Sequence, residues 1–293
     1  MRPRADGPDQ PRGDRANPAA TPPLVVALLG NPNTGKSTLF SALAGIPTRI
    51  GNYPGVTVEE KVGRFGHHGR TIELVDLPGT YSLLPQSPDE QVAVDVISGR
   101  LDGVSRPDGL VVVVDATNLE RNCYLATQAL ALRLPTVVAL TLVDVAAQKG
   151  ITVDAEELGR RLGCRVVAVA APARIGVDEL RDAILESAGQ PANPPVGLER
   201  HLESVAASHT AAAREAIARY AWIEELLAGV VQRQPPPARP RGERIDAVLT
   251  HRFFGTLAFV ATMLLMFTSI FWLATPFMDA ISAAVDGVGG LLE

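Results

Sequence analysis

"LVVALLGNPNTGKSTLF", residues 24–40, runs from an apolar stretch through a glycine-bounded loop into a helical pattern. Gly30, Gly35, Lys36 and Ser37 fit G-x-x-x-x-G-K-[ST] in the strand, loop, helix setting that gives this pattern its mechanism. Backbone N–H groups and the positive helix end would face phosphates, Lys36 the β and γ groups, and Ser37 a magnesium ion. Taken alone the stretch says that phosphates are held, without saying on which nucleotide or to what end.

The flanking pattern sets the fold class. "TIELVDLPG" (71–79), "GLVVVVDAT" (109–117), "PTVVALTLVD" (135–144) and "CRVVAVAAP" (164–172) repeat the apolar run of residues 24–30. Near-continuous runs of this kind indicate strands buried on both faces. Helical stretches alternate with them: "NLERNCYLATQALALRL", with Leu125, Ala129 and Leu132 in phase, and "DAEELGRRLG", with Asp154 as N-cap. The expected fold is α/β, a mostly parallel sheet with helices on both faces, over residues 24–190. "VGRFGHHGRTIEL" reads as a hairpin turning at Gly66 to Gly69, with His67 and His68 as exposed turn residues and a metal role as the minor reading.

Forty residues past the loop, "DLPG" (76–79) places an acid at a strand end and a glycine behind it. Asp76 would hold magnesium through water, and Gly79, beside Pro78, would sense a γ-phosphate with its backbone. Between them "GNYPGVTVEE" carries Thr57, preceded by Gly55 and Val56, whose hydroxyl could close on magnesium when a triphosphate is bound. Base choice falls to the end of the fifth strand, where guanine-specific proteins of this class carry N-x-x-D. A carboxylate there accepts guanine N1–H and its exocyclic amine, a donor pair that adenine lacks. The stretch here is "TLVD": Asp144 is present, and Thr141 replaces the bracing Asn. "PARIG" keeps Ala173, whose backbone N–H would meet guanine O6, and puts Pro172 in place of Ser. With Asn31, Asn33, Thr34 and Thr38 of the loop, these complete the candidate contacts to GTP or GDP.

Bulk properties bound the partners. A net charge of −5 and a pI near 5.6 argue against nucleic acid. Cys123 and Cys164 show no metal-ligand spacing and read as buried apolar residues. The first 23 residues, with six prolines, read as a disordered tail without a secretory signal. "PANPPVG" (191–197) closes the first domain, and residues 198–233 read as helical with Ile217, Tyr220, Ile223, Leu227 and Val230 as an apolar stripe. "PPPARPRGER" (235–244) reads as a linker. Residues 253–278 hold no charge, and their length of roughly 39 Å exceeds the hydrocarbon thickness of about 30 Å, so a transmembrane helix is expected. Arg241, Arg244 and Arg252 precede this span and Asp279 and Asp286 follow it, which predicts residues 1–252 in the cytoplasm and 279–293 beyond the membrane.

"GNPNTGKSTLF", "GNYPGVTVEEKVG", "DLPGTYSLLPQSPDEQVAVDVI" and "RIDAVLTHRFFG" together resemble the ferrous-iron transport protein B (FeoB) family. The resemblance implies a Ras-like GTPase domain, a helical regulatory domain near residues 195–240 that slows nucleotide release, and a role in ferrous-iron uptake at the cytoplasmic membrane. It implies a potassium ion beside the phosphates, held by Asn33 and carbonyls of Gly51 and Asn52, so that Lys36, Thr57, Gly79 and Asn33 form the catalytic set. Thr80 stands where Ras-like proteins carry a water-orienting Gln, which predicts slow hydrolysis. The family's long polytopic membrane domain has no counterpart after the first span. The expectation is a truncated or split transporter whose pore, with small accessory proteins or further copies of the chain, lies elsewhere. The alternative is a membrane-tethered regulatory GTPase or assembly factor.

Overall fold

The computed structural model describes residues 22–195, 197–205, 210–234 and 249–289. The expected tail lies outside these residues but for its end, and the expected linker lies outside them entirely. The chain divides into two compact units, Met1–Pro235 and Pro236–Glu293.

In the first unit the elements are β1 (Leu24–Gly30), α1 (Lys36–Ala44), β2 (Arg49–Asn52), β3 (Glu59–His67), β4 (Arg70–Asp76), α2 (Pro88–Ser98), β5 (Gly109–Asp115), α3 (Leu119–Ala131), β6 (Thr136–Thr141), α4 (Val143–Gln148), β7 (Ile151–Val153), α5 (Ala155–Leu162), β8 (Arg165–Ala168), α6 (Val177–Ser187), α7 (Leu198–Ser204), α8 (Ala211–Leu227) and β9 (Val231–Arg233). Seven strands form one sheet in the order β2-β3-β4-β1-β5-β6-β8, parallel from β4 onward, with β2 and β3 antiparallel at one edge.

The apolar runs serve both faces because side chains alternate along a strand. Val26, Leu28, Val111 and Val113 pack under Leu39, Leu43, Leu180 and Ile184 of α1 and α6. Ala27, Leu29, Val112 and Val114 pack under α2, α3 and α5. The strands end at Asp76, Asp115 and Thr141, short of the runs read from sequence. The residues just past these carboxyl ends form the loops where ligands bind in such sheets.

The hairpin turns at His68 and Gly69 alone, both with positive φ, and Gly66 is a strand residue paired with Thr71. The expectation of an exposed His67 is also corrected: its side chain is only 16% exposed. The apolar stripe of the helical segment holds only in its second half. Ile223 and Val230 of the expected stripe are buried and Leu227 packs beside them, but Ile217 and Tyr220 are exposed, and α8 also buries Ala218, Arg219, Trp222 and Leu226. Arg219 is accommodated there by Thr127 Oγ1 at 3.0 Å and Glu215 at 2.8 Å, a pairing that no apolar stripe would suggest. Residues 231–233 are a strand, not helix, and pair antiparallel with β7.

The second unit is described by α9 (Arg252–Gly289), 38 residues with Pro276 inside. At 1.5 Å per residue it is about 57 Å long. It continues past Met278 instead of ending there, so the separate segment expected at 279–293 is helical to Gly289. A proline removes one backbone donor without ending every helix. Arg252–Met278 is long and apolar enough to cross a membrane, and Phe253, Leu265, Phe271 and Trp272 along it are exposed.

Candidate functional site

Helix α1 begins without the side-chain cap found at α2, α5 and α8. Ser87 accepts Glu90 N–H at α2, Asp154 accepts Glu157 N–H at α5, and Thr210 accepts Ala213 N–H at α8. At α1 the N-cap is Gly35, in the left-handed region at φ 79°, with no side-chain cap and no acid in the first turn. Its leading N–H groups lack intrahelical acceptors, and its own first turn carries no carboxylate. That combination suits a phosphate.

The loop before it is fixed from three sides. Thr80 N–H donates to Gly30 O at 3.2 Å, Thr34 Oγ1 to Asn31 O at 2.9 Å, and Thr141 Oγ1 to Thr34 O at 2.7 Å. Thr141 therefore supplies the bracing that sequence had assigned to the replaced Asn. Asn31 and Thr34 are buried, so their side chains build the loop floor and only their backbones can meet a ligand. The Asn31 amide has no hydrogen-bond partner among the described residues. Asn33 sits at φ 64° with its side chain in the open, and Ser37 and Thr38 are exposed on the first turn of α1.

Lys36 crosses to the end of β4, where Nζ donates to Asp76 Oδ1 and, at 2.6 Å, to Leu77 O. The two charged side chains are 12% and 9% exposed. Gly79 follows on a tight approach: a Cβ there would stand 3.2 Å from Pro32 Cγ and 3.3 Å from Pro32 N. Beside it, half-buried Pro78 turns the chain away from the strand. Thr80 is fully buried and its hydroxyl donates to Ser82 O at 2.6 Å. Glu90 and Gln128 hold the following segment through the N–H groups of Tyr81, Gln86 and Leu83.

The structure does not bring every predicted residue together. Gly55, Val56 and Thr57 lie in an exposed turn, and among the described residues no hydrogen bond ties Thr57 to Ser37 or Asp76. Gly51 and Asn52 are in β2, the sheet edge, opposite Glu60 and Glu59. Asp144 is exposed on the first turn of α4, just past Thr141, and Leu142 between them takes the left-handed region at φ 54°. The Ala173 N–H is committed to Ala170 O at 3.1 Å, closing a short 3₁₀ turn.

Tyr53 was missed from sequence. It is buried, with its hydroxyl 3.4 Å from Asp76 O, and burial, reinforced by Glu60 and Asp76, pushes its phenol above the ordinary range. An aromatic inside an otherwise polar loop was the available signal.

The profile of the family described as Ferrous iron transport protein B matches residues 24–184. The Fe(2+) transporters FeoB of Salmonella typhimurium (strain LT2) and Escherichia coli (strain K12) are each 46% identical over 165 residues, covering 55% of this chain and 21% of theirs. The match thus spans about a fifth of the length of these relatives. The solved cytosolic domain of L. pneumophila FeoB superposes with a TM-score of 0.61 at 34% identity, covering 71% of this chain and all of that one. The T. maritima cytosolic domain in its GMPPNP form gives 0.60 at 28% identity, over 71% and 99% of the two chains. With an uncapped phosphate loop on a mostly parallel sheet and a family match over more than half its length, the chain belongs to the FeoB family and carries its N-terminal G domain.

Proposed function

We propose that this chain binds and hydrolyses GTP as the cytoplasmic module of ferrous-iron uptake at the cytoplasmic membrane. The carrying observation is the ammonium of Lys36, the first residue of the uncapped α1, held between Asp76 and Leu77 O. A triphosphate arriving at α1 competes for that ammonium, and the exchange frees the Asp76 carboxylate. Solved T. maritima relatives named for their GDP and GMPPNP forms support the nucleotide, and the relatives named Fe(2+) transporter support the cargo. Asp144 accepts the guanine donor pair.

Ser37 and Asp76 are hard oxygen donors at adjacent strand and helix ends, a set that fits magnesium, with Thr57 closing from its turn. For potassium the reading takes the exposed Asn33 amide and carbonyls of Gly51 and Asn52, neutral oxygen donors that must converge on the ion from the loop and from β2. Such cations supply positive charge beside the transferring phosphoryl group. Gly79 senses the γ-phosphate through its backbone. With Thr80 occupied, no side chain at that position orients water, so hydrolysis is slow. Helix α9 anchors the chain with residues 1–252 on the cytoplasmic side, where a pore-forming chain, small accessory proteins and further copies are the expected partners.

The test is GTP turnover by the full chain in detergent, in potassium and in sodium, with Asn33→Ala alongside. Potassium should raise turnover, and N33A should lose the increase. Equal rates in both salts remove the cation role, and ATP competing as well as GTP removes the role of Asp144.

A further inference from the structure

Two imidazoles and a carboxylate meet at the turn of the β3–β4 hairpin. His67 Nε2 and His68 Nε2 lie 2.7 and 3.0 Å from the same oxygen, Oδ1 of Asp182 on α6. All three potential ligand atoms lie within 4.8 Å of one another. Adjacent strand residues should point to opposite faces. They do not here, because His68 at φ 44° and Gly69 at φ 76° close a two-residue turn. The left-handed conformation swings the His68 ring to the side of His67, with centroids 4.3 Å apart. Positive φ at both positions is what such a turn requires, and His tolerates it better than most side chains.

We propose that His67, His68 and Asp182 form a site for one divalent transition-metal ion of the zinc or ferrous class, with water completing its coordination. Two imidazole nitrogens and one carboxylate suit these ions, whereas calcium and magnesium take oxygen donors. Bonds of about 2.0–2.1 Å in tetrahedral geometry separate ligand atoms by about 3.3 Å. The present 2.7 and 3.0 Å to Asp182 must open by a few tenths of an ångström, and the two imidazole nitrogens, within 4.8 Å of each other, must settle near that spacing. His68 and Asp182, at 72% and 47% exposure, have room to do so. Neighbouring Arg181 does not compete for Asp182, since it donates to Leu43 O at 2.6 Å and Asp178 at 2.9 Å.

The site is separate from the phosphate loop. β4 runs from Arg70 beside the turn to Asp76, about 20 Å at 3.3 Å per residue. An ion here ties the hairpin leading into Asp76 to α6, the helix that follows the Ala171–Ala173 turn.

The experiment is calorimetric titration of the metal-stripped full chain in detergent with Zn2+, without nucleotide, and Co2+ absorption as a spectral probe. The wild type should bind one Zn2+ that displaces Co2+ from a site with visible d–d bands. His68→Asn, which tolerates the left-handed turn, and Asp182→Asn should each weaken that Zn2+ at least tenfold while keeping wild-type GDP affinity. No Zn2+ binding by the wild type, or unchanged affinity and stoichiometry in H68N, overturns the proposal. If H68N does not fold, D182N gives the same reading.

Discussion

Thr141→Val isolates the bond that replaces the family-class asparagine. Thr141 is 3% exposed, and its hydroxyl lies 2.7 Å from Thr34 O and 3.2 Å from Val114 O. One proton cannot serve both carbonyls fully, and the shorter contact takes it. Valine keeps the shape, removes the donor and leaves the Thr34 carbonyl buried without that partner. The net bond is worth about 0.5–1.5 kcal/mol, and an unpaired buried carbonyl raises the loss to about 1–3 kcal/mol. In a domain of this size about 2 kcal/mol lowers Tm by roughly 4–8 °C. Thr34 belongs to the phosphate loop, so part of the loss appears as disordered N–H directions there. If about 1 kcal/mol is felt on binding, the GDP Kd rises about fivefold. Thermal melts and fluorescent-GDP titration of the full chain in detergent measure both effects, with Thr141→Ser, which keeps the hydroxyl, expected to stay near wild type. A T141V protein that melts and binds GDP like the wild type refutes the bracing argument.

Three further outcomes are expected. Lys36→Met removes the cation between Asp76 and the phosphate site and should lower GTPase kcat/KM at least about a hundredfold, read by phosphate release; near-normal turnover would contradict its role. Gly63→Ala puts a Cβ 2.5 Å from Ala44 Cβ and 2.9 Å from Phe40 Cζ, forcing α1 off β3, and should cost about 1–3 kcal/mol in urea unfolding. Hydrogen bonds from Arg160 and Arg161 hold the Glu157 carboxyl at about 2, against 4.5 for a free one. A depressed acid stabilises the fold above its unfolded value and loses that contribution as pH falls. The urea-midpoint gap between wild type and Glu157→Gln should therefore be full above pH 4.5 and close toward pH 2, and a gap independent of pH would exclude the ion pair as its source.

The central strands were legible because each is a run of apolar residues buried on both faces, as in "GLVVVVD". β2, β7 and β9 were not: they are three or four residues long, and their side chains are mostly exposed, so no alternation marks them. Helix α2 was readable and overlooked, since Ser87, Pro88 and Glu90 spell an N-cap, a first-position proline and a capping box. For the site, Lys36, Asp76 and Gly79 were named because spacing alone places them. Thr141 was named only as the replacement of an Asn, since a hydroxyl reaching a carbonyl 107 positions earlier leaves no local trace. The pairing of His67 with Asp182 across 115 positions is equally silent in the sequence.

The β7–β9 ribbon also gives the molecule a mechanical path. Its three residue pairs join the chain segment just after α4, which carries Asp144, to the last described residues before Pro235. Gln234 N–H donates to Gly150 O at 2.7 Å, completing the stitch. Tension on the chain leaving Gln234 therefore loads a joint of a few hydrogen bonds, each worth about 0.5–1.5 kcal/mol net, well before it reaches the seven-stranded core. The ribbon stands in series with the segment that carries Asp144, a joint that parts under a load the sheet itself would not register.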